Sequence, residues 1–206
     1  MGDRMTTRDA TIERWTERLA EATGDPGGGA AAGVMLAIAA GLMSMVAGYS
    51  DADDVRERAR GLREAALEAA DADAQASAAF GAAFRREDDG RDAAIREATL
   101  AAARSSARLG DQARAAIPDL EQLATHGDPA LVADVAVAAA ALRAALASAR
   151  TNLSYDLGML RSAGLALDEV RRAHPELWTA VAGLDDAIAR VDGLTARIDD
   201  RAAPTD

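Results

Sequence analysis

The sequence predicts an all-α fold, a bundle of five to seven helices in a single domain spanning residues 1–206. Three observations carry that prediction. About a quarter of the residues are alanine, the strongest intrinsic helix former. No segment keeps a period-two alternation for long, and no Asn-Gly hairpin signal occurs. Apolar residues instead recur every three to four positions, in stretches separated by Gly-, Pro- and Asp-rich breaks. With 206 residues, 50% hydrophobic and 28% charged, the chain can bury a sizeable core.

Thr7 to Ala22 reads as an amphipathic helix, with Ile12, Trp15, Leu19 and Ala22 on one face and Glu13, Arg14, Glu17 and Arg18 on the other. It stops at Gly24-Asp25-Pro26-Gly27-Gly28-Gly29. Ala30 to Tyr49 follows, twenty residues without a charge. That length spans a bilayer. Alanine and glycine insert weakly, however, and no basic cluster flanks the stretch, so a buried core helix is expected. Gly33, Gly41 and Gly48 fall near one face of it, where another helix backbone can come close. Ser50 is expected to cap a third helix, running from Asp51 to about Arg86. Its apolar positions Val55, Leu62, Ala66, Ala69, Ala76, Phe80 and Phe84 keep a rough heptad.

A charged break at Arg85 to Arg91 precedes a fourth helix, from about Asp92 to Ala116. Pro118 starts a short piece, and His126-Gly127-Asp128-Pro129 is a loop. The longest helix then runs from near Pro129 to Ser162. Leu131, Val135, Ala138, Leu142, Ala145, Ala149, Asn152 and Asp156 share one stripe of it. Helices over Leu167 to His174 and Pro175 to about Asp200 complete the set, and Arg201 to Asp206 reads as a frayed tail.

What is missing narrows the chemistry. There is no Cys, which removes disulfides, thiolate catalysis and Cys-ligated metals. Every basic residue is Arg, which removes a Schiff-base lysine and a P-loop. Two histidines, His126 and His174, cannot build a three-His metal site, so no metal is expected. A net charge of −11 with 3% aromatic residues does not suit nucleic acid, and with Ala30 to Tyr49 read as a core helix no membrane partner is expected. Residues 1–22 lack the apolar core of a signal peptide, so the cytoplasm is the expected location.

Three features are candidates for chemistry. Pro26-Gly27-Gly28-Gly29, just before a helix start, points backbone N–H groups at a helix N-terminus. This suits a carboxylate or phosphate, although a plain interhelical turn uses the same glycines. Asp134 is the only charge between Pro129 and Arg143. In those surroundings it is either a desolvated acid–base group or a first-turn carboxylate favoured by the helix dipole. Asn152 shares the face of Asp134 but lies about 27 Å further along the helix, beyond reach of one small group. An antiparallel partner helix, from a second subunit for example, would bring the two into one site. Ser148 and Asp156 flank Asn152 at four residues on either side. Otherwise Asn152 is a satisfied interface residue. His126 is read as a loop residue, His174 as a helix C-terminal one, and Met35, Met43 and Met45 as core filler.

With those residues in view, the chain resembles the formiminotetrahydrofolate cyclodeaminase and methenyltetrahydrofolate cyclohydrolase family. Leu19 to Ala32, with its Pro-Gly-Gly-Gly turn, resembles that family's glycine-rich opening. Leu42 to Ser50, with Met45-Val46, is similar to the end of its apolar helix. Gly127 to Ala138 is similar to its Ser-Asp helix start, Ser148 to Leu153 to its asparagine segment, and Asp73-Ala74-Gln75-Ala76 to an Asp-x-x-Ala segment. The resemblance implies an all-α homodimer that binds a tetrahydrofolate derivative without a metal. Gly27, Gly28 and Gly29 would lie at the folate, Asp134 would be the catalytic acid, and Asn152 a polar contact. Arg143 or Arg150 would draw in the anionic glutamyl tail. The chain departs from the family pattern at Ala30, Ala133 and Ser148. Ser77 stands where an aromatic residue is expected, and a lysine is missing.

The expected function is a folate one-carbon enzyme, a stand-alone 5,10-methenyltetrahydrofolate cyclohydrolase in preference to the cyclodeaminase. The departures motivate an alternative, a diverged member that passes one carbon to another small molecule or closes a ring with it. A non-catalytic helical dimer is the remaining reading.

Overall fold

The computed structural model describes residues 6–162 and 166–202, and among these only helices and their connections occur. The helices are α1 (Ile12–Ala20), α2 (Gly28–Tyr49), α3 (Asp53–Phe84), α4 (Arg91–Ala115), α5 (Ile117–His126), α6 (Val132–Ser162), α7 (Leu167–Ala173) and α8 (Pro175–Ala202). A single 3₁₀ turn, Pro129–Leu131, leads into α6. Of the frayed tail expected from Arg201 on, Arg201 and Ala202 continue α8, and residues 203–206 lie outside the described residues.

Five long helices make the bundle. Helices α2, α3, α4 and α6 close a ring in which α2 packs on α3, α3 on α4, α4 on α6 and α6 back on α2. Helix α8 lies against α6 and α4 outside that ring, and α1, α5 and α7 are short flanking pieces. Short connections between long helices force antiparallel neighbours, which is why α2 and α3 run in opposite directions.

The uncharged α2 goes where its composition sends it. Leu36, Met43, Val46 and seven small residues are buried between α3 and α6. Gly33 marks the tightest approach: a Cβ there would sit 2.9 Å from the Ala66 carbonyl oxygen and 2.9 Å from the Ala70 Cβ. On α6 the stripe read from spacing is the buried one, with Val135, Ala138, Leu142, Ala145, Ala149 and Asp156 all in the core. Leu177, Leu184, Val191, Leu194 and Ile198 of α8 cover it from outside.

Two local expectations are corrected. Helix α1 begins at Ile12, because the Thr11 hydroxyl caps it by accepting from the Arg14 N–H at 3.2 Å. Trp15 is buried and Leu19 packs against it, whereas Ile12 is 85% exposed and Ala22 is exposed, so only the middle of the expected face meets the core. Ser50 closes α2 rather than opening α3. Its hydroxyl donates to the Val46 carbonyl (2.8 Å) and accepts from the Asp128 N–H (2.9 Å). Asp51 then turns the chain with a φ of 52°, and Ala52 is the residue at the α3 start.

Candidate active site

The glycine run forms a turn and then the first residues of α2. Gly24 sits at a φ of 75°, a conformation that only glycine adopts without strain. Gly27 occupies the N-cap position and supplies no side chain to the free N–H groups behind it. The missing cap comes from another helix. The Asp73 carboxylate of α3 accepts from the Ala30 N–H, in the space that Gly29 leaves open. A Cβ at Gly29 would fall on that carboxylate.

This turn forms one wall of a cleft of about 370 Å³ at the end of the four-helix ring. Gly28 and Gly29 meet Asp73, Ser77 and Phe80 of α3, Ser106 of α4, and Asn152, Tyr155 and Asp156 of α6. Asp156 is 8% exposed. Its burial, aided by the neighbouring negative charge of Asp73, pushes its carboxyl up to about 7. Burial also raises Asp73, against the opposing effect of the Ala30 N–H. No basic side chain lines the cleft among the described residues.

Two buried carboxyls, both raised and Asp156 to about 7, suit proton transfer near neutrality. Two acids with no adjacent cation favour a ligand whose reacting group is positive. Tyr155 and Phe80 add aromatic surface, while Asn152 and the Ser77 and Ser106 hydroxyls add hydrogen-bonding groups.

The structure brings together Gly28, Gly29 and Asn152 from opposite halves of the chain. Gly27 adjoins them: a Cβ there would lie 4.0 Å from Ser77 Oγ. Pro26 is buried beneath the turn, in a separate small hollow beside Trp15 and Gln75. Ser148 lies a turn below Asn152 on α6 and does not line the cleft. Arg150 points the other way, toward α8, with its Nε 2.8 Å from Asp185 Oδ1. Arg143 likewise forks onto Asp192. Both arginines are thus engaged by α8 carboxylates rather than free to meet a ligand tail.

Asp134 is half-buried in the first turn of α6, at the opposite end of the bundle from Asp156. Twenty-two residues of helix separate the two, about 33 Å. Within one chain it therefore does not join the cleft, and its position matches the dipole-favoured alternative.

Spacing alone did not single out Asp73 and Asp156 as a pair. A signal was nevertheless present. Asp156 is the one carboxylate on the buried α6 stripe, and Asp73 follows the buried Ala59 and Ala66 at seven-residue steps. Ser77, where an aromatic residue is expected, lines the cleft with Phe80 one turn later.

A larger open groove of about 580 Å³ runs along the outer side of α2 and α3, with Arg56, Arg60 and Arg63 on its wall. It holds positive charge but no carboxyl, so it offers no acid–base pair. No group of three metal-ligating side chains occurs among the described residues.

Comparison with known proteins agrees with this architecture. The profile of the formiminotransferase-cyclodeaminase family matches residues 11–169. A solved structure of formiminotetrahydrofolate cyclodeaminase from Thermotoga maritima superposes with a TM-score of 0.78 at 20% identity, covering 94% of this chain and 96% of that one. No curated protein sequence matches significantly.

Proposed function

The chain belongs to the formiminotransferase-cyclodeaminase family, and from that premise we propose that it is a folate-dependent one-carbon enzyme, a 5,10-methenyltetrahydrofolate cyclohydrolase. The observation that carries the reading is the cleft with two carboxyls and no basic group. The 5,10-methenyl carbon belongs to a cationic amidinium, the kind of reacting centre such a lining attracts.

The reaction needs few groups. Ionised Asp156 takes a proton from water as its oxygen bonds to the methenyl carbon. It returns that proton to the ring nitrogen as the carbon–nitrogen bond breaks. The hydroxyl proton leaves to solvent as the formyl carbonyl forms. Asn152 orients the folate, and Gly28 and Gly29 keep the wall low enough for the ring to approach. The tetrahydrofolate derivative is the substrate and no metal takes part. A cytoplasmic homodimer without nucleic-acid or membrane partners belongs to the same proposal.

The acid–base role expected for Asp134 passes to Asp156 in this proposal, because Asp156 shares a cleft with the glycine turn. The test is the decay of the 5,10-methenyltetrahydrofolate chromophore with wild type, Asp156→Asn and Asp134→Asn. Turnover above the spontaneous rate that is lost only in Asp156→Asn supports the assignment. Loss only in Asp134→Asn returns the role to Asp134 and requires a site shared between subunits.

The departures at Ala30, Ala133, Ser77 and Ser148, with the missing lysine, favour a second reading, a diverged enzyme that hands the carbon to another small molecule. Tight folate binding without hydrolysis distinguishes it. Neither binding nor turnover leaves a non-catalytic helical dimer.

A further inference from the structure

The two carboxyls of the cleft are not equivalent, and the backbone explains why. Asp73 lies at the N-terminal end of α2, where unpaired N–H groups and the helix dipole favour negative charge. It accepts a hydrogen bond there from the Ala30 N–H. The geometry that allows this is specific, since only glycine at position 29 leaves room for the carboxylate. Asp156 has no such support. It sits six residues before the C-terminal end of α6, and burial and the Asp73 charge both oppose its ionisation.

We propose that Asp73 is a positioning residue that acts through Asp156: anchored on the α2 N-terminus, it is the fixed negative charge against which Asp156 takes up and gives up its proton. Negative charge settles on Asp73 first, and the exchangeable proton belongs to Asp156. The groups facing the pair are consistent with this division. The turn contributes the Thr23 hydroxyl and no charge, α3 Asp73 and the Ser77 hydroxyl, α4 the Ser106 hydroxyl, and α6 the Asn152 amide and the Tyr155 phenol beside Asp156 itself. Among the described residues, Asp73 is the only other carboxylate in the lining, and no basic side chain joins it.

This inference rests on the proposed acid–base role of Asp156, but it can be tested without catalysis. Carboxyl-carbon NMR of the full chain, labelled at Asp, follows both titrations directly in the wild type. Asp73 is expected to ionise at lower pH than Asp156, and the reverse order overturns the proposal. In Asp73→Asn, whose amide oxygen still accepts from Ala30, Asp156 is expected to ionise more readily by about tenfold. An unchanged Asp156 titration in that folded variant also overturns it.

Kinetics add a second readout. If the wild type hydrolyses 5,10-methenyltetrahydrofolate, the limb of the kcat/KM pH profile that reports Asp156 moves to lower pH in Asp73→Asn. A purely structural role for Asp73 lowers activity equally at every pH and leaves that limb in place. A wild type that does not hydrolyse the substrate fails the proposed function alone, and the NMR titration still decides the inference.

Discussion

Replacing Asp156 by Asn makes a prediction about folding that needs no substrate. In the folded chain this carboxyl is pushed from 3.8 to about 7, chiefly by burial and secondarily by Asp73. At 1.36 kcal/mol for each tenfold change in proton affinity, that displacement is worth about 4 kcal/mol. The sign follows from which state holds the proton. Between pH 4 and 7 the folded chain keeps it while the unfolded chain has released it, so wild-type stability falls as pH rises through that window. Below pH 3.8 both states are protonated and the effect is absent, and above 7 it is complete. Asp156→Asn carries no such slope. Urea unfolding at pH 4, 5.5 and 8 should therefore show the variant gaining on wild type by about 4 kcal/mol from the lowest to the highest pH. A difference that stays constant across that range refutes the reasoning, because the carboxyl would then titrate alike in the folded and unfolded states.

Other perturbations test the packing. Gly33→Ala forces a methyl against the Ala66 carbonyl and Ala70, and is expected to cost about 1–3 kcal/mol by denaturant titration. Leu146→Ala empties a fully buried position on α6 and should cost about 2–5 kcal/mol in the same measurement. Ser50→Ala removes the hydroxyl that joins Val46 to Asp128, with an expected loss of about 1–3 kcal/mol, visible as earlier hydrogen exchange at the Asp128 amide. Gly29→Ala displaces Asp73 from Ala30, and should raise KM for a folate ligand while leaving the helix content by circular dichroism unchanged.

Periodicity was a reliable guide wherever a long helix buries one stripe. The α6 stripe and the ends of α4 and α8 lie within a few residues of their expected places, because repeated burial reinforces the same register over many turns. It failed at Ile12, where a nine-residue helix has too few turns for its pattern to mean burial. Ser50 misled for a different reason: a hydroxyl between two helices can close the first as well as open the second. Asp134 is half-buried for a related reason. A carboxylate surrounded by apolar residues in sequence has those neighbours spread around the helix, so its own side can remain half open. Asp156 has fewer apolar neighbours in sequence, yet it is buried at the cleft. What counts is the face, and the face acquires chemical meaning only once α3 supplies Asp73 opposite it.

The cleft draws its wall from four segments of chain that start far apart. Gly28 and Asp156 are 128 positions from each other along the sequence. No helical hairpin taken alone holds both the glycine turn and the acid of α6. The binding surface therefore exists only once α2 has closed against α6, a pairing of helices far apart in sequence. It follows that a ligand seated there binds only the fully assembled state. Each tenfold excess of free ligand over its dissociation constant then adds about 1.4 kcal/mol to the cohesion of the whole bundle, not of one wall. Occupancy becomes readable as global protection, out to helices such as α8 that the ligand never touches.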